Sequence, residues 1–327
     1  MVSILIPAFN AGPWIRQCVE SALAQTYAAT EILVVDDGST DDTLEIVRSF
    51  GSRVRVIPGA HAGGNAARNR LLELSSGEWL QYLDADDYLL PGKIAAQMEC
   101  AAKNPGLDLI YSPVILREEA TGSEHLLEMS EEADLPLHFI RWGQLNTNGF
   151  LWRRASVLKV GGWKEDQPAC QEHELLLRMI EAGMIEAGMR EAGHRFQLVN
   201  RPGAVYRFHH APSVSRQNPL RTVQLQAGLL SRLEEYLKRQ KALTPVHRKA
   251  LYITRMQAAR TAWKTDPALA KTLAAQAKST GAWWVSSSPA LPLNFQILTR
   301  FVGFEASERL AARRRPMVVT EPGNAGI

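Results

Sequence analysis

The 327-residue sequence is poor in the features that mark several specialised classes of protein. Its three cysteines, Cys18, Cys100 and Cys170, are widely spaced and form no CxxC pair, so neither a zinc site nor a disulfide framework is indicated. The net charge is only +3, which gives no overall field for binding nucleic acid. No stretch approaches the ~20 apolar residues of a membrane helix, and the N-terminal apolar run is too short for a signal peptide. We therefore expect a protein of the reducing cytoplasm.

What the sequence does have is an ordinary globular composition, 46% apolar and 22% charged. Short runs rich in β-branched residues predict strands at 2–6, 31–35, 54–57, 79–83 and 107–116. Helical spacing predicts helices at 14–25, 41–50, 65–74 and 93–103, and Ser39 with Asp42 forms a capping-box variant before the second of them. This alternation predicts an α/β fold, with a Rossmann-like, mostly parallel sheet covered by helices on both faces.

The second half of the sequence is less regular. Residues 116–144 are typical of a loop with a short helix, and further strands are predicted at 148–152, 196–200 and 205–209. Helices are predicted near 155–160 and from Glu172 onward, and the chain beyond Ser215 has helical periodicity. The predicted organisation is an α/β domain at 1–215, a helical region at 216–316 and a disordered tail at 317–327.

A pentad, MIEAG, is repeated three times at 179–193, the third time as MREAG. A period of five matches neither a helix nor a strand, and each internal glycine would cost a helix about 1 kcal/mol. We interpret the repeat as a local duplication without a function.

Three carboxylates, Asp84, Asp86 and Asp87, directly follow the predicted strand 79–83. The loops PAFN and DDGSTDD leave the first and second strands in the same way, at the edge where parallel sheets bind ligands. Hard oxygen ligands suit Mg²⁺ or Mn²⁺, which bind one or two carboxylates together with substrate phosphates. The sequence DADD followed by PGK is also typical of a turn, since Asp, Pro and Gly are common turn residues. The spacing alone therefore supports a solvated turn and a metal–diphosphate site equally.

Several segments taken together resemble a known enzyme family. They stand in the order found in family 2 glycosyltransferases of the GT-A fold. The segments are VSILIPAFN, VVDDGSTDDT, GGNAARNRLLELSSGEWLQYLDADD, and GGW with QEHELLLR. The resemblance covers about residues 2–215 and identifies them as a GT-A catalytic domain with DADD as its DXD motif. It implies inverting transfer of a sugar from a nucleotide-sugar to a glycan or lipid-linked acceptor in the biosynthesis of surface polysaccharide or glycan, with Mn²⁺ or Mg²⁺ as the cofactor.

The resemblance also assigns residues of the donor site. The family's first loop lines the nucleotide base, and it corresponds here to Pro7, Ala8, Phe9 and Asn10. Asp37 resembles the aspartate that accepts a hydrogen bond from the base ring. The alternative for Asp37 and its neighbour Asp36 is that both only cap the following helix, which is how we interpret Asp41 and Asp42.

The diphosphate and the metal involve a second group of residues. Arg68 resembles a family arginine near the nucleotide, where the guanidinium can donate two hydrogen bonds to a diphosphate. The alternative interpretation is that Arg68 is an exposed arginine on a helix. Asp84 would face the ribose or the metal shell. Asp86 is the predicted direct metal ligand and Asp87 its support. YRFHHAPSVS resembles a late family segment in which a histidine approaches the metal or the diphosphate. Adjacent residues of a strand point to opposite faces, so at most one of the two histidines could do so, and His209 is the predicted one.

Catalysis requires a base for the acceptor hydroxyl. The family usually has an aspartate at this position, and here Glu172, one methylene longer, takes it. Glu174 is interpreted as an i,i+4 partner of Arg178, and His173 as incidental. Trp163 lies just upstream, where it could stack on an acceptor sugar or belong to the core.

Two other enzyme classes are disfavoured by missing motifs. A sugar nucleotidyltransferase would need a glycine-rich basic loop after the first strand, and PAFNAGPW has neither property. A dinucleotide-dependent dehydrogenase would need GxGxxG after a strand, which is absent. A non-catalytic relative that only binds nucleotide-sugars stays the main alternative, since the pentad repeat follows Glu172 closely.

The C-terminal third carries no catalytic motif. Its segment 283–315 mixes aromatic and apolar residues and ends in RLAARRR. It could pack on the catalytic domain, or a basic amphipathic helix within it could touch an anionic membrane. The second alternative implies peripheral binding at the inner face of the plasma membrane.

Overall fold

The computed structural model describes residues 1–127, 134–142, 145–183, 195–209, 218–282 and 291–314. The chain divides into two compact units, one of Met1–Asn218 with Ser231–Ala242 and the other of Pro219–Leu230 with Leu243–Ile327. His210, the predicted tail and most of the pentad repeat lie outside the described residues.

Two sheets carry the first unit. The strands of its described part are β1 Val2–Ala8, β2 Thr30–Asp36, β3 Arg55–Pro58, β4 Trp79–Tyr82, β5 Tyr88–Leu89, β6 Leu109–Tyr111, β7 Val114–Glu118, β8 Glu124–Leu127, β9 Phe150–Arg153, β10 Phe196–Leu198 and β11 Ala204–Phe208. The larger sheet has the order β10-β6-β9-β4-β1-β2-β3. Strand β9 runs antiparallel to β4 and β6, and every other pairing in this sheet is parallel. The predicted α/β fold with a mostly parallel sheet is therefore confirmed.

Helices accompany the larger sheet. Their bounds are α1 Gly12–Leu23, α2 Thr43–Arg48, α3 Gly64–Leu74, α4 Lys93–Lys103, α5 Leu135–Arg141, α6 Arg154–Lys159 and α7 Gln171–Glu181, with short 3-10 turns at Gly51–Arg53 and Thr147–Gly149. The way they pack is clear in α1, whose buried residues Ile15, Cys18, Val19 and Ala22 recur at helical spacing. This apolar face joins Ile4 and Ile6 of β1 in one core. Burial on both faces explains why the central strands are almost wholly apolar.

Two predictions about local structure are wrong. The strand expected at 107–116 is two strands, because Pro113 lacks an N–H group and the chain leaves the larger sheet for the smaller one there. The capping box expected at Ser39 does not form, because α2 begins only at Thr43 and the Ser39 hydroxyl accepts a hydrogen bond from the N–H of Asn10 instead, at 2.9 Å. Both errors come from partners that lie far away in the sequence.

The smaller sheet has the order β5-β11-β7-β8. Strand β11 pairs with β5 in antiparallel fashion, Val205 opposite Tyr88. Since β5 directly follows the DADD loop, this pairing carries the end of β11, with Arg207 and His209, to that loop.

The described part of the second unit is helical. Its helices are α8 Pro219–Arg239, whose last part from Ser231 belongs to the first unit, α9 Pro245–Ala262, α10 Pro267–Ser279 and α11 Leu293–Arg314. Thr244 and His247 form a capping box on α9, and Asp266 caps α10 by accepting from the N–H of Leu269. The core between them contains Met256, Ala259, Leu273 and Phe304, among others. None of the helices described combines the length and hydropathy that a bilayer crossing requires.

Candidate functional site

The predicted polar loops meet at one edge of the larger sheet. Ala8 pairs with Asp36, and Leu5 pairs with Tyr82, so β1, β2 and β4 have their carboxyl ends at the same edge, with β4 ending three residues earlier along β1. Strand β9 runs the other way, so its start lies at this edge, and Asn148 stands just before it. The site is thus built from the ends of three parallel strands and the beginning of one antiparallel strand.

The loop after β1 presents an aromatic surface. Pro7 and Ala8 belong to the strand, while the Phe9 side chain is 46% exposed and stacks on His61, with ring centroids 4.2 Å apart and planes inclined by 25°. Asn10 has a positive φ of 48°, and its side chain accepts from the N–H of Thr40 at 2.8 Å. The loops after β1 and β2 are therefore joined, and the base-binding role predicted for the PAFN residues stays a prediction.

Asp37 fixes the loop that enters α3. Its carboxylate accepts from the N–H groups of Ala62 and Gly63 at 2.8 and 2.9 Å, and His61 Nδ1 lies 2.9 Å from it. Asp36, next to it, is also buried, and its Oδ1 has no hydrogen-bond partner. Asp37 therefore already has three partners, while the neighbouring aspartate keeps one unpaired oxygen at the same edge.

Arg68 of α3 connects three parts of the site. Its guanidinium donates to Asp84 Oδ1 and Gln171 Oε1, at 2.8 Å each, and its carbon lies 5.0 Å from the centre of the Trp163 ring. Burial raises the pKa of Asp84, and the charge of Arg68 opposes that rise. Arg68 is buried, which excludes the alternative of an exposed helix arginine.

Asp86 and His209 approach each other as the sequence predicted for a metal site. Asp86 Oδ2 lies 3.1 Å from His209 Nε2, although 123 residues separate them in the chain. The imidazole stacks on Trp14 of α1, with centroids 4.3 Å apart. His209 is therefore fixed in orientation beside the more exposed of the three loop aspartates.

Asp87 has a different environment. Its carboxylate is fully buried and accepts from the N–H of Arg207 at 2.7 Å and from the side-chain amide of Asn148 at 2.5 Å. Burial, followed by the charges of Asp86 and Asp84, raises the pKa of Asp87 well above its usual value. These contacts anchor the loop, which agrees with a supporting role more readily than with direct ligation.

The donor atoms at this edge fit one class of metal ion. The side chains of Asp84 and Asp86 are 28% and 36% exposed, with His209 beside the second. Within the described ranges, no three His, Cys, Asp or Glu side chains are grouped to hold a metal by themselves. Mg²⁺ and Mn²⁺ keep several waters and bind through one or two carboxylates plus substrate phosphates, so these residues fit such an ion and do not fit one that needs an all-protein cage.

Glu172 lies at the first turn of α7, next to Gln171, which Arg68 contacts. Its side chain is 23% exposed, and Oε1 lies 3.1 Å from Nδ1 of His173. Burial by itself would raise the pKa of Glu172, but the hydrogen bond and charge of His173, together with Arg68, bring it below its usual value. A carboxylate that is ionised and partly open can accept a proton.

The other residues near Glu172 support the structure. Arg178 donates to both oxygens of Glu174, at 3.0 and 2.9 Å, which is the predicted i,i+4 pair, and also to the backbone carbonyls of Val160 and Gly162. Trp163 is buried and meets Tyr82 edge to face at 5.0 Å. The structure thus favours the core interpretation of Trp163, since its ring offers no open face for an acceptor sugar.

Sequence reasoning missed four contributors to the site: Asn148, Arg207, His61 and His173. The first two anchor Asp87, and the third contacts both Phe9 and Asp37. Asn148 and His61 lie outside every motif quoted above, so no local signal could have identified them. Arg207 stands beside the predicted His209, but its N–H contact with Asp87 depends on the pairing of β11 with β5. His173 was visible beside Glu172, but helix spacing alone does not bring adjacent side chains together.

Comparison with known proteins gives the site a context. Residues 3–155 match the family model described as glycosyl transferase family 2. The uncharacterized glycosyltransferase YibD of Escherichia coli strain K12 is 38% identical over 106 residues, 32% of this chain and 31% of that protein. Chondroitin synthase of Escherichia coli is 39% identical over 115 residues, 34% of this chain and 17% of that protein. The chain thus spans about a third or less of the length of these curated relatives.

Solved structures extend the likeness beyond the matched domain. Staphylococcus aureus TarS 1–349 has a TM-score of 0.62 at 14% identity, over 97% of this chain and 92% of that one. The same fragment in complex with UDP-GlcNAc has a TM-score of 0.58 at 14% identity, over 88% and 95%. Mannosyltransferase PcManGT from Pyrobaculum calidifontis, in complex with GDP-Man and Mn²⁺, has a TM-score of 0.55 at 17% sequence identity. The likeness covers 95% of this chain and 84% of that one. At these identities the likeness bears on the fold alone, and it confirms the predicted GT-A type.

Proposed function

Residues 3–155 of the chain belong to glycosyl transferase family 2, and from this premise we propose that the protein transfers a sugar from a nucleoside diphosphate sugar to an acceptor hydroxyl, with inversion. One observation carries the proposal: Arg68 links Asp84 of the acidic loop to Gln171, the neighbour of Glu172, through two contacts of 2.8 Å. One cation thereby joins the loop proposed to hold the diphosphate to the helix turn that carries the proposed base.

The donor is proposed to occupy the edge formed by the loops after β1, β2 and β4. The exposed stack of Phe9 and His61 suits the base, with Asp37 behind it, and Arg68 suits the diphosphate. TarS is known in complex with UDP-GlcNAc and PcManGT in complex with GDP-Man, which supports a sugar linked to UDP or GDP. The resemblance to chondroitin synthase supports a glycan acceptor in polysaccharide biosynthesis.

Asp86 is proposed as the direct metal ligand, with His209 beside it and Asp87 anchoring the loop from below. A bound Mn²⁺ or Mg²⁺ supplies positive charge against the diphosphate as it leaves. The protein's own part is to hold Asp86 at the edge of the sheet and to place Arg68 next to Asp84. The complex of PcManGT with Mn²⁺ supports this choice of ion.

Glu172 is proposed as the general base. The acceptor O–H proton passes to its carboxylate while the acceptor oxygen forms the new bond to the anomeric carbon and the bond to the diphosphate oxygen breaks. A single displacement of this kind inverts the anomeric carbon. The lowered pKa of Glu172 keeps the carboxylate ionised near neutral pH.

A turnover assay tests the proposal. The full chain is incubated with UDP-, GDP- and dTDP-sugars and Mn²⁺, with oligosaccharide or lipid-linked acceptors, and the released nucleoside diphosphate is measured. Release that depends on the acceptor supports the transferase. Binding of a nucleotide-sugar without release with any acceptor indicates the non-catalytic relative. Formation of pyrophosphate from a nucleoside triphosphate indicates the disfavoured nucleotidyltransferase.

Helix α11 is proposed as a peripheral membrane contact. Leu293, Ile297 and Phe301 recur at intervals of four and are exposed, Phe301 to 79%. Arg300 lies beside them, and the sequence RLAARRR at 309–315 adds four arginines to this end of the chain. An apolar stripe followed in the sequence by clustered arginines matches an anionic lipid surface by hydrophobicity and by charge. Such binding fits the predicted cytoplasmic location, at the inner face of the plasma membrane.

Vesicle sedimentation tests this contact. The full chain is expected to sediment with vesicles of phosphatidylcholine and phosphatidylglycerol and much less with phosphatidylcholine alone. The double variant Ile297→Ser and Phe301→Ser should lose most of the binding, while Val246→Ser, at a 50% exposed apolar position on α9, should keep it. If the double variant binds vesicles as well as wild type does, the membrane contact is excluded. The contact is likewise excluded if the wild-type protein is a dimer that the double variant dissociates, because the exposed apolar stripe would then bind a second copy of the chain.

A further inference from the structure

The start of α7 holds two adjacent side chains in contrasting environments. Glu172 is partly open, whereas the His173 side chain is only 3% exposed. Successive residues of a helix point about 100° apart, so their side chains do not ordinarily meet. Here they do, at 3.1 Å between Oε1 of Glu172 and Nδ1 of His173. Glu172 must therefore adopt a side-chain conformation that turns towards its neighbour.

The imidazole of His173 is fixed by aromatic neighbours. It stacks on Trp142, with centroids 3.9 Å apart and planes inclined by 21°, and meets Phe139 edge to face at 5.1 Å. Its Nε2 is buried without a hydrogen-bond partner. An ionised carboxylate only accepts hydrogen bonds, so Nδ1 must carry the hydrogen that is shared with Glu172. Among the described residues, the ring makes its only polar contact with this carboxylate.

We propose that His173 is a positioning residue, which holds the Glu172 carboxylate in the conformation and ionisation state that proton abstraction requires. The inference rests on the proposed function, in which Glu172 is the base. It also accounts for the glutamate at a position where the resembled family usually has aspartate. Glutamate has one more rotatable bond, and a fixed donor next to it removes that extra freedom.

Other groups around Glu172 do not replace this contact. Arg68 favours the ionised carboxylate, while the charge of Asp84 opposes it. Tyr111 and Cys170 also lie near, and burial raises the pKa of both, that of Cys170 to about 12, so they are neutral at pH 7. Since the flanking charges have opposite signs, His173 is the neighbour that both directs and ionises Glu172.

The test compares three substitutions of His173 by kcat, by the pH dependence of kcat and by KM for the donor. His173→Phe keeps an aromatic ring without a donor, His173→Asn keeps an N–H near the position of Nδ1, and His173→Gln moves it towards Nε2. Phe and Gln should lower kcat on the order of 10- to 100-fold, the effect of one lost hydrogen bond to a charged group. KM for the donor should stay within about twofold of wild type, since binding of the donor does not involve this contact. Asn should restore most of the loss.

The pH profile separates positioning from a merely structural role. A base works in its deprotonated form, and loss of the donor raises the pKa of Glu172, so the acid limb of kcat should move to higher pH in the Phe and Gln variants. With Asn it should return towards wild type. His125→Phe, the same change at an exposed position of β8, should leave the profile unchanged.

The outcomes distinguish this inference from the proposed function. If Glu172→Gln is inactive while His173→Phe has the kcat and pH profile of wild type, the positioning role is overturned and the base stands. If Glu172→Gln turns over normally, the base assignment itself fails. If no donor turns over at all, carbon-13 NMR titration of the glutamate carboxyls still decides, because the signal lost in Glu172→Gln should titrate at higher pH in His173→Phe. An unchanged titration would refute the contact.

Discussion

Glu172 is the residue on which the proposed chemistry depends most directly. Glu172→Gln keeps the size of the side chain and removes its basicity, so turnover should fall on the order of 10²–10⁴-fold. Donor binding should stay near normal, because the contacts of Arg68 with Asp84 and of Asp86 with His209 do not include Glu172. Steady-state kinetics with calorimetric measurement of donor binding checks both statements. Glu172→Asp should keep partial activity, since the resembled family usually has aspartate at this position.

The matched control for this prediction is two residues away. Glu174→Gln removes a carboxylate from the same helix, but one that pairs with Arg178 in the interior. We expect it to lower the melting temperature while turnover of the folded protein changes little. If Glu174→Gln were inactive while Glu172→Gln kept its turnover, the base would have to lie at a different position of the helix.

Asp86 offers a test of the metal site that needs no acceptor. Nucleoside diphosphate should bind tightly to wild type only with Mn²⁺ or Mg²⁺, and Asp86→Ala should weaken that binding on the order of 10- to 100-fold and abolish its dependence on metal. Asp166→Ala, at an exposed position, serves as the control. Calorimetry that gave equal wild-type affinity in a chelator would contradict the metal site.

Single residues also show where sequence reasoning stops. The loop Asp84–Asp87 and Glu172 stand in recognisable motifs, and the sequence was enough to propose both. The contacts that give Asp86 and Asp87 different environments come from His209, Arg207 and Asn148, between 61 and 123 residues away. Only the fold brings such residues together, and a single sequence carries no record of their distance.

At the scale of elements, local signals succeed where local forces dominate. The helix predicted at 93–103 matches α4 to the residue, because Gly92 precedes it and Asn104 with Pro105 ends it. The strand predicted at 107–116 fails because its two halves belong to different sheets. Pairing between strands is a long-range interaction that periodicity does not encode.

Glu31 illustrates how one carboxylate joins several elements. It lies in β2 and accepts hydrogen bonds from the hydroxyl of Ser3 in β1 and from Ser76 and Gly77 before β4, at 2.5 to 3.2 Å. Burial opposes ionisation, but these donors lower the pKa of Glu31 below its usual value. The contact therefore stabilises the fold only while the carboxylate is charged.

The sign of the pH effect follows. A depressed carboxyl pKa contributes stability above the unfolded-state value of about 4.3, and this stability disappears as the pH falls through the lower folded-state value. Glu31→Gln should therefore lower the free energy of unfolding near neutral pH and converge with wild type below about pH 3–4. Urea denaturation from pH 3 to 7 measures it, with Glu73→Gln at an exposed position as the control. A constant difference across this range would contradict the prediction.

At the scale of the whole molecule, the first unit includes a segment beyond the boundary predicted at residue 215. This segment, Ser231–Ala242, contains the end of helix α8, where Leu233 and Leu237 are fully buried and Arg232 pairs with Glu181 at 2.7 Å. We propose that the catalytic domain predicted at 1–215 needs this segment for its stability.

Truncation tests the revised boundary. Each fully buried leucine contributes about 1.5–3 kcal/mol, so a chain that ends at residue 215 should melt about 10 °C or more below one that ends at residue 242. The longer fragment should keep metal-dependent binding of nucleoside diphosphate. The melting temperatures of both fragments and of the full chain are measured by calorimetry. Equal melting temperatures of the two fragments would support a boundary at residue 215.

The anchoring of Asp87 has a consequence for synthesis on the ribosome. Its two hydrogen-bond donors come from Asn148 and Arg207, so a nascent chain that has emerged only as far as β5 has the acidic loop but neither partner. At about 5–20 residues per second, Arg207 emerges several seconds after the loop. Until then Asp87 cannot be buried without leaving its oxygens unpaired, which is costly. The loop that we propose to bind the donor is therefore expected to mature last, after the sheet on which it stands.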